Sequence, residues 1–354
     1  MKNIGFHKRT TQGVYLSPFE NFQSKTLTIE ERYDDITGVA SRVLPYRIKP
    51  AQKPDIDGYL DKSPAAICPF CPDLFEKLTP KFPPDLHLEG KFRRGEAWLF
   101  PNAFPYDATN TVAIFSSRHF VPLDELTASY MRDGFAVCRD YFYRVAEMQK
   151  GYQYCSINWN YMPPSGGGLI HPHLQTIVGK EPTRFMRRLM TGAKRYAAGN
   201  EGANLWHTLL TLEKEADERF IASTGAIVWL TAFSPKGMAG EVDFYFKEKT
   251  SFFDLTEKNF DELLSGLSKI FRHLYTNHFM SFNLSLYATM TPDKHFWVQG
   301  KIIPRFELNP LGTSDINYFE KLHDEIICPI PPEQLCKELR PFFAGPASSD
   351  ASDG

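Results

Sequence analysis

The order strand, strand, helix, strand, loop, strand occurs twice along this chain, and a sequence that repeats its element order implies a two-part scaffold. In the first copy, residues 97–105 and 111–115 read as β-strands joined by a turn over 106–110. Met131, Phe135, Cys138, Phe142 and Val145 then recur at alternating steps of four and three, which predicts a helix over 126–148. Residues 152–161 read as the strand that enters a glycine-rich loop. The second copy opens with a strand over 225–233, and a further strand precedes its helix. That helix carries Phe260, Leu263, Leu267, Ile270, Phe271 and Leu274 on one face, with Asp254 and Glu257 as an expected capping box. Strands over 282–290 and 297–304 complete it.

The loop of the first copy carries the chemistry. Gly166, Gly167 and Gly168 follow Ser165, and a run without Cβ atoms lets backbone amides turn toward an anion, as a phosphate cradle requires. His171, His173 and Gln175 come directly after it. On an extended segment, alternate residues share a face, so two imidazoles and an amide are presented together. Imidazole is a nucleophile at neutral pH without first losing a proton, which suits attack on phosphorus. Pro172 disfavours a helix here and leaves an interrupted strand open to a ligand. In the second copy Gln299-Gly-Lys301 stands where His171-Pro-His173 stands in the first. An amine with an unperturbed pKa of about 10.4 supplies no second nucleophile. Lys301 either faces a substrate phosphate or stands in solvent at a strand end.

Cys68 and Cys71 form a Cys-x-x-Cys pair, the spacing of a zinc knuckle. The rival redox reading calls for a helix opening in a βαβ context, whereas Pro72 and Asp73 follow here. His119 and His171, each at the end of a strand-like run, are the candidates to complete a closed Cys2His2 zinc site that holds the strand bearing His173. The other four of six cysteines read as buried thiols. With 354 residues the chain can bury a large core, and a net charge of −2 without a long basic block argues against a nucleic-acid surface. No apolar run reaches the ~18 residues of a membrane span, and the N-terminus lacks a signal core, so a soluble cytoplasmic protein is expected.

Five segments are expected: a polar, irregular N-terminal arm over 1–60, a first repeat over 61–180, a helical connector over 181–222, a second, degenerate repeat over 223–343 and a disordered tail over 344–354. Arg32 and Arg47 flank a turn in the arm and are candidate phosphate clamps. The connector carries a basic cluster at Arg184, Arg187, Arg188, Lys194 and Arg195.

Taken together, the glycine loop, His-Pro-His-x-Gln, the upstream Cys-x-x-Cys and the repeat resemble the galactose-1-phosphate uridylyltransferase branch of the histidine triad superfamily. Arg32-Tyr-Asp-Asp-Ile-Thr-Gly38 is similar to that family's N-terminal motif, and Asn160 precedes His171 by eleven residues. The resemblance implies an α+β fold of duplicated histidine-triad-like units, with antiparallel sheets in a half-barrel and helices outside. It implies a homodimer with one structural Zn2+ per chain on Cys68, Cys71, His119 and His171. His173 would be the residue that becomes nucleotidylated, and Gln175 would hold a phosphoryl oxygen. Asn102, Phe104 and Asn160 would line the nucleotide pocket, and Glu320 would contact a hexose. The chain departs from the family where Gln299 and Lys301 replace a His-x-His, where Leu174 follows His-Pro-His, and at Gly168.

The expected activity is UDP-glucose:hexose-1-phosphate uridylyl transfer, a ping-pong reaction of galactose metabolism between a nucleotide sugar and a sugar 1-phosphate. An adenylyl-selective phosphorylase or hydrolase acting on ADP-glucose or diadenosine tetraphosphate is the alternative. A zinc-containing nucleotide-binding protein without turnover is the alternative of another class.

Overall fold

A computed structural model describes residues 4, 6–45, 54–148, 150–308 and 312–345. The chain begins with a long hairpin of β1 (His7–Ser17) and β2 (Gln23–Tyr33), followed by β3 (Ala40–Val43). Two short helices come next, α1 (Ile56–Lys62) and α2 (Pro72–Leu78). The first half of the main sheet is β4 (Phe92–Arg94), β5 (Ala97–Pro101), β6 (Thr111–Ile114), helix α3 (Ala128–Glu147), β7 (Tyr154–Tyr161) and β8 (His173–Gly179). Helices α4 (Arg184–Gly199) and α5 (Leu205–Ala216) connect it to the second half. There, β9 (Phe220–Thr224), β10 (Ile227–Thr231) and β11 (Val242–Phe246) precede helix α6 (Glu257–Thr276), β12 (Ser281–Thr289) and β13 (Gln299–Arg305). The two-residue strands β14 (Glu307–Leu308) and β15 (Thr313–Ser314), helix α7 (Tyr318–His323), β16 (Glu325–Cys328) and helix α8 (Pro332–Phe343) close the order.

Ten strands form one open antiparallel sheet in the order β4-β5-β6-β8-β7-β12-β13-β11-β10-β9. Read outward from the β7/β12 pair, the two halves are mirror images in strand order. Beta-branched and aromatic residues fill these strands because each faces a packed layer on at least one side. One face of the sheet meets α3, α6 and α8, and the main core lies between them. Met131, Phe135, Cys138, Phe142 and Val145 of α3 and Phe260, Leu263, Leu267, Ile270, Phe271 and Leu274 of α6 are all buried there. Burial of each large apolar side chain contributes about 1.5–3 kcal/mol.

The opposite face has three zones. Cys68, Phe70, Cys71 and Phe75 cover Phe100, Val112 and Ile114 of the first half. Met186, Leu189, Trp206 and Leu209 of α4 and α5 cover Val228, Leu230 and Tyr245 of the second. Between them, β7 and β12 present the half-buried polar side chains of Asn158, Asn160, Asn283 and Ser285.

Several boundaries differ from the sequence reading. Thr127 caps α3 by accepting from the Tyr130 amide, so the helix starts two residues later than expected. The cap of α6 is Thr256 with Asn259, while Asp254 serves the preceding 3-10 turn at Ser251. The arm is not irregular: β1 and β2 pair over eleven residues each, and β3 and β16 extend them to a four-stranded sheet. Polar residues occupy both faces of the hairpin, so no apolar alternation marked it as strand. No helix among the described residues is long and apolar enough to cross a membrane. The expected tail from 346 onward lies outside the described residues.

Candidate functional site

Two histidines separated by one proline have different surroundings. His171 is fully buried, and its Nδ1 lies 3.8 Å from Cys68 Sγ and 3.6 Å from Cys71 Sγ. His119 Nδ1 lies 3.3 Å from Cys71 Sγ, and the four ligand atoms all fall within 4.8 Å of one another. Tetrahedral zinc with its usual bonds to S and N places ligand atoms roughly 3.3–3.8 Å apart, so the set fits the ion. Each imidazole donates its Nε2 proton to a backbone carbonyl, His171 to Ser116 at 2.9 Å and His119 to Ser63 at 2.6 Å. Those bonds fix the tautomer and turn both Nδ1 lone pairs toward the sulfurs. Burial pushes the His171 imidazole down to about 4, which keeps it a neutral ligand. Burial and the adjacent Cys68 push the Cys71 thiol up to about 12, an environment that holds a thiolate only beside a cation. Cys68, Cys71, His119 and His171 could therefore bind a metal such as zinc.

His173 is the first residue of β8 and is 7% exposed. Its Nδ1 lies 2.7 Å from the His171 carbonyl oxygen, which can only accept. Nδ1 therefore carries the proton, and Nε2 keeps the lone pair. Phe70 meets the ring edge-on at 5.3 Å. Burial lowers the His173 pKa against the opposing bond to His171. Two residues on and on the same face, the half-buried Gln175 side chain makes no hydrogen bond among the described residues.

The cross-strand partners of Gln175 extend this face into a polar row that sequence reading missed. Gln175 pairs with Asn158, Asn158 with Ser285, Ser285 with Lys301 and Lys301 with Asp243. Ser285 Oγ donates to Asn158 Oδ1 at 2.8 Å, across the boundary between the halves. Only strand register brings these residues together, and no local motif carries that signal.

The loop at the mouth of the site is tightly set. Gly166 has φ +87°, and a Cβ on Gly167 would sit 3.0 Å from the Asn160 carbonyl oxygen. The Gly166 amide is already used by Pro163, whereas the amides of Gly167 and Gly168 have no partner among the described residues. Ser165 is buried and donates to Met162 O at 2.7 Å. Asn102 spends its amide within its own loop, on Asn110 and on the Phe104 amide, and Phe104 stands 85% exposed.

The other expected site residues have the following surroundings. The Arg32 guanidinium is buried; one bond of 2.6 Å goes to Glu30 of its own strand, and two of 2.8 Å go to Glu333 and tie the arm to α8. Arg47 lies outside the described residues. Glu320 sits half-buried on α7, where burial pushes its carboxyl up. Lys301 does not stand in solvent: its ammonium is 2.5 Å from Glu241 and 2.8 Å from Asp243. Arg184, Arg187, Arg188 and Arg195 line a groove against the turn Asp35–Gly38.

No known family model matches the sequence. An uncharacterized protein of Archaeoglobus fulgidus is 31% identical over 320 residues, which cover 89% of this chain and 93% of that protein. The chain belongs to the family of that archaeal protein. Among solved structures, an ADP-glucose phosphorylase from Arabidopsis thaliana with bound ADP-glucose aligns over 88% of this chain and 98% of its own, with a TM-score of 0.65 and 16% identity. A uridylyltransferase aligns over 90% and 99%, with a TM-score of 0.62 and 18% identity. At such identities the likeness is one of fold. The chain thus shares the fold of these two structures, an α+β fold with a large antiparallel sheet and helices.

Proposed function

We propose that this protein is a nucleotidyltransferase that carries the nucleotidyl group on His173. The observation that carries the reading is the bond from His173 Nδ1–H to the His171 carbonyl, which leaves a neutral Nε2 lone pair as nucleophile. Nε2 attacks the α-phosphorus of a nucleotide sugar. An N–P bond forms, the P–O bond to the β-phosphate breaks, and sugar 1-phosphate leaves with the electron pair. An acceptor phosphate oxygen then attacks the same phosphorus and expels His173. Nδ1 keeps its proton and donates it to the His171 carbonyl throughout, so positive charge on the nucleotidylated ring is stabilised. Gln175 and the amides of Gly167 and Gly168 supply donors for the equatorial oxygens, where preorganised electrostatics does most of the work. Asn160 and the loop of Asn102 and Phe104 would bound the nucleotide. A zinc ion on the Cys2His2 set would be structural, stiffening the His171 backbone that orients His173.

UDP-glucose as donor and a hexose 1-phosphate as acceptor, with a homodimer as the working unit, is the substrate reading. ADP-glucose with inorganic phosphate is the second, favoured by the fold shared with a phosphorylase whose structure holds ADP-glucose. Brief incubation with each nucleotide sugar followed by mass spectrometry tests both. A uridylyl or adenylyl adduct lost in His173→Ala is expected, and an adduct that survives the substitution, or no adduct at all, overturns the proposal.

A further inference from the structure

Asn160 is half-buried on β7, two residues beyond the Asn158–Gln175 pair and on the same face of the sheet, where that register continued by one same-face step would set it opposite His173. Which end of its amide meets a ligand is decided by residues of the second half. Asp315 is 3% exposed and holds Arg305 at the end of β13, with Oδ1 2.6 Å from Nη2 and Oδ2 2.8 Å from Nε. Arg305 Nη1 lies 2.7 Å from the side-chain oxygen of Asn283. Asn283 Nδ2 in turn lies 2.7 Å from Asn160 Oδ1 and 2.9 Å from the Ser165 carbonyl oxygen.

The orientation of this chain is forced by chemistry. A guanidinium has donors only, so the atom Asn283 turns to Arg305 is its oxygen. A carbonyl oxygen accepts only, so the atom facing Ser165 is the Asn283 nitrogen. Because that nitrogen also faces Asn160, Asn160 must present its own oxygen to Asn283. The Asn160 NH2 is what remains, and it has no partner among the described residues. We infer that Asp315, Arg305 and Asn283 are positioning residues that lock the Asn160 amide with its N–H toward the nucleotidyl group on His173. The inference rests on the proposed function and adds a specificity: the site is built for an acceptor group, a phosphoryl or hydroxyl oxygen, at that point. It also assigns a role to the second half, which supplies the direction of a hydrogen bond used in the first.

The test compares Arg305→Met with Arg305→Lys, reading the rate of His173 adduct formation, nucleotide affinity by calorimetry and thermal melting. Lysine is also a donor-only cation and should keep the Asn283 amide aligned. The Met variant should form the adduct roughly tenfold to hundredfold more slowly, as loss of one oxyanion donor does, and the Lys variant should recover most of that rate. In an Asn160→Ala background, Arg305→Met should cost nothing further. Asn160→Asp covers the case in which Arg305→Met does not fold: it still accepts from Asn283 but offers an oxygen where the N–H was. Its adduct rate should fall similarly at an unchanged melting temperature. A folded Arg305→Met within twofold of wild type, equal losses with and without Asn160, or an Asn160→Asp of normal rate each overturns the relay. If wild type binds nucleotide without forming an adduct, and Arg305→Met weakens that binding while Arg305→Lys does not, the relay stands and the transferase reading falls. If it binds no nucleotide, both fall.

Discussion

Lys301→Met removes the one cation between two buried carboxylates. The Glu241 side chain is fully buried and that of Asp243 is 9% exposed, while Lys301 itself is 14% exposed. Burial opposes charge on Glu241, but Lys301 and Lys236 together pull it below its ordinary value. Burial and the Glu241 carboxylate push Asp243 up. Without the ammonium, the two acids face each other with Lys236 as the remaining neighbouring cation. Removing one partner of a buried ion pair costs about 3–5 kcal/mol. Unfolding entropy of about 2.1 cal/mol/K per residue gives ~0.7 kcal/mol/K for this chain, so the melting temperature should fall by about 4–7 °C near pH 8. The deficit should also depend on pH. In the variant both carboxyls have folded pKa values above their unfolded ones, so the folded state binds more protons and gains stability as pH falls. In wild type the Lys301 contribution is fully present below about pH 10.5, and Asp243 is already pushed up to about 8, so both proteins gain from its protonation; they differ at Glu241, which Lys301 helps hold below its ordinary value in wild type and which rises in the variant. The gap should therefore narrow toward pH 5. Thermal melts of both proteins at pH 5, 6.5 and 8 read it directly. A gap under 1 °C at pH 8, or one that widens toward pH 5, would refute the argument.

For the metal, elemental analysis should find about one zinc per chain, falling to near zero in His119→Ala together with a lower melting temperature, because a closed site contributes folding free energy; full zinc and an unchanged melt would exclude His119 as a ligand. For the arm, burial opposes charge on Glu333 but hydrogen bonds from Arg32 hold its carboxyl down to about 2. The contribution, about 2–3 kcal/mol, is present above about pH 4.5 and lost as pH falls toward 2. Glu333→Gln should start less stable at pH 7 and show a shallower decline in acid-denaturation midpoints, and an identical acid limb would rule the pair out as a stabilising contact.

What could be read in the sequence was local. The helices α3 and α6 follow from periodicity because their buried faces are written at fixed spacing. The Cys-x-x-Cys pair and the two histidines are chemical types with few structural uses, and the structure gathers all four. What escaped was pairing at a distance. Arg32 looks like a phosphate clamp until Glu333, 301 residues away, takes both arms of its fork. Lys301 looks like a lone strand-end amine until β11 sets Asp243 opposite it. Asn283 has no motif around it, and its meaning comes from facing Asn160 across 123 residues. Charge and amide direction are properties of partners, and register, not composition, chooses them.

The mirrored sheet makes the contrast between its halves instructive. In each half the strand beside the central pair, β8 or β13, turns alternate side chains to the same face of the sheet. In the first half that face receives a neutral imidazole with a free lone pair, a glutamine amide without a partner among the described residues, and a candidate metal set behind them. In the second it receives Lys301 neutralised by Glu241 and Asp243 and covered by Phe185 of α4, 5.6 Å from the ammonium. A site that must meet a substrate keeps polar atoms unsatisfied until the ligand arrives, and that costs stability. The second half satisfies its charges internally and gives up a ligand position of its own. Its stable ion pairs then hold β13 and Arg305 in register, which is the condition for Asn283 to aim Asn160 at the site next door.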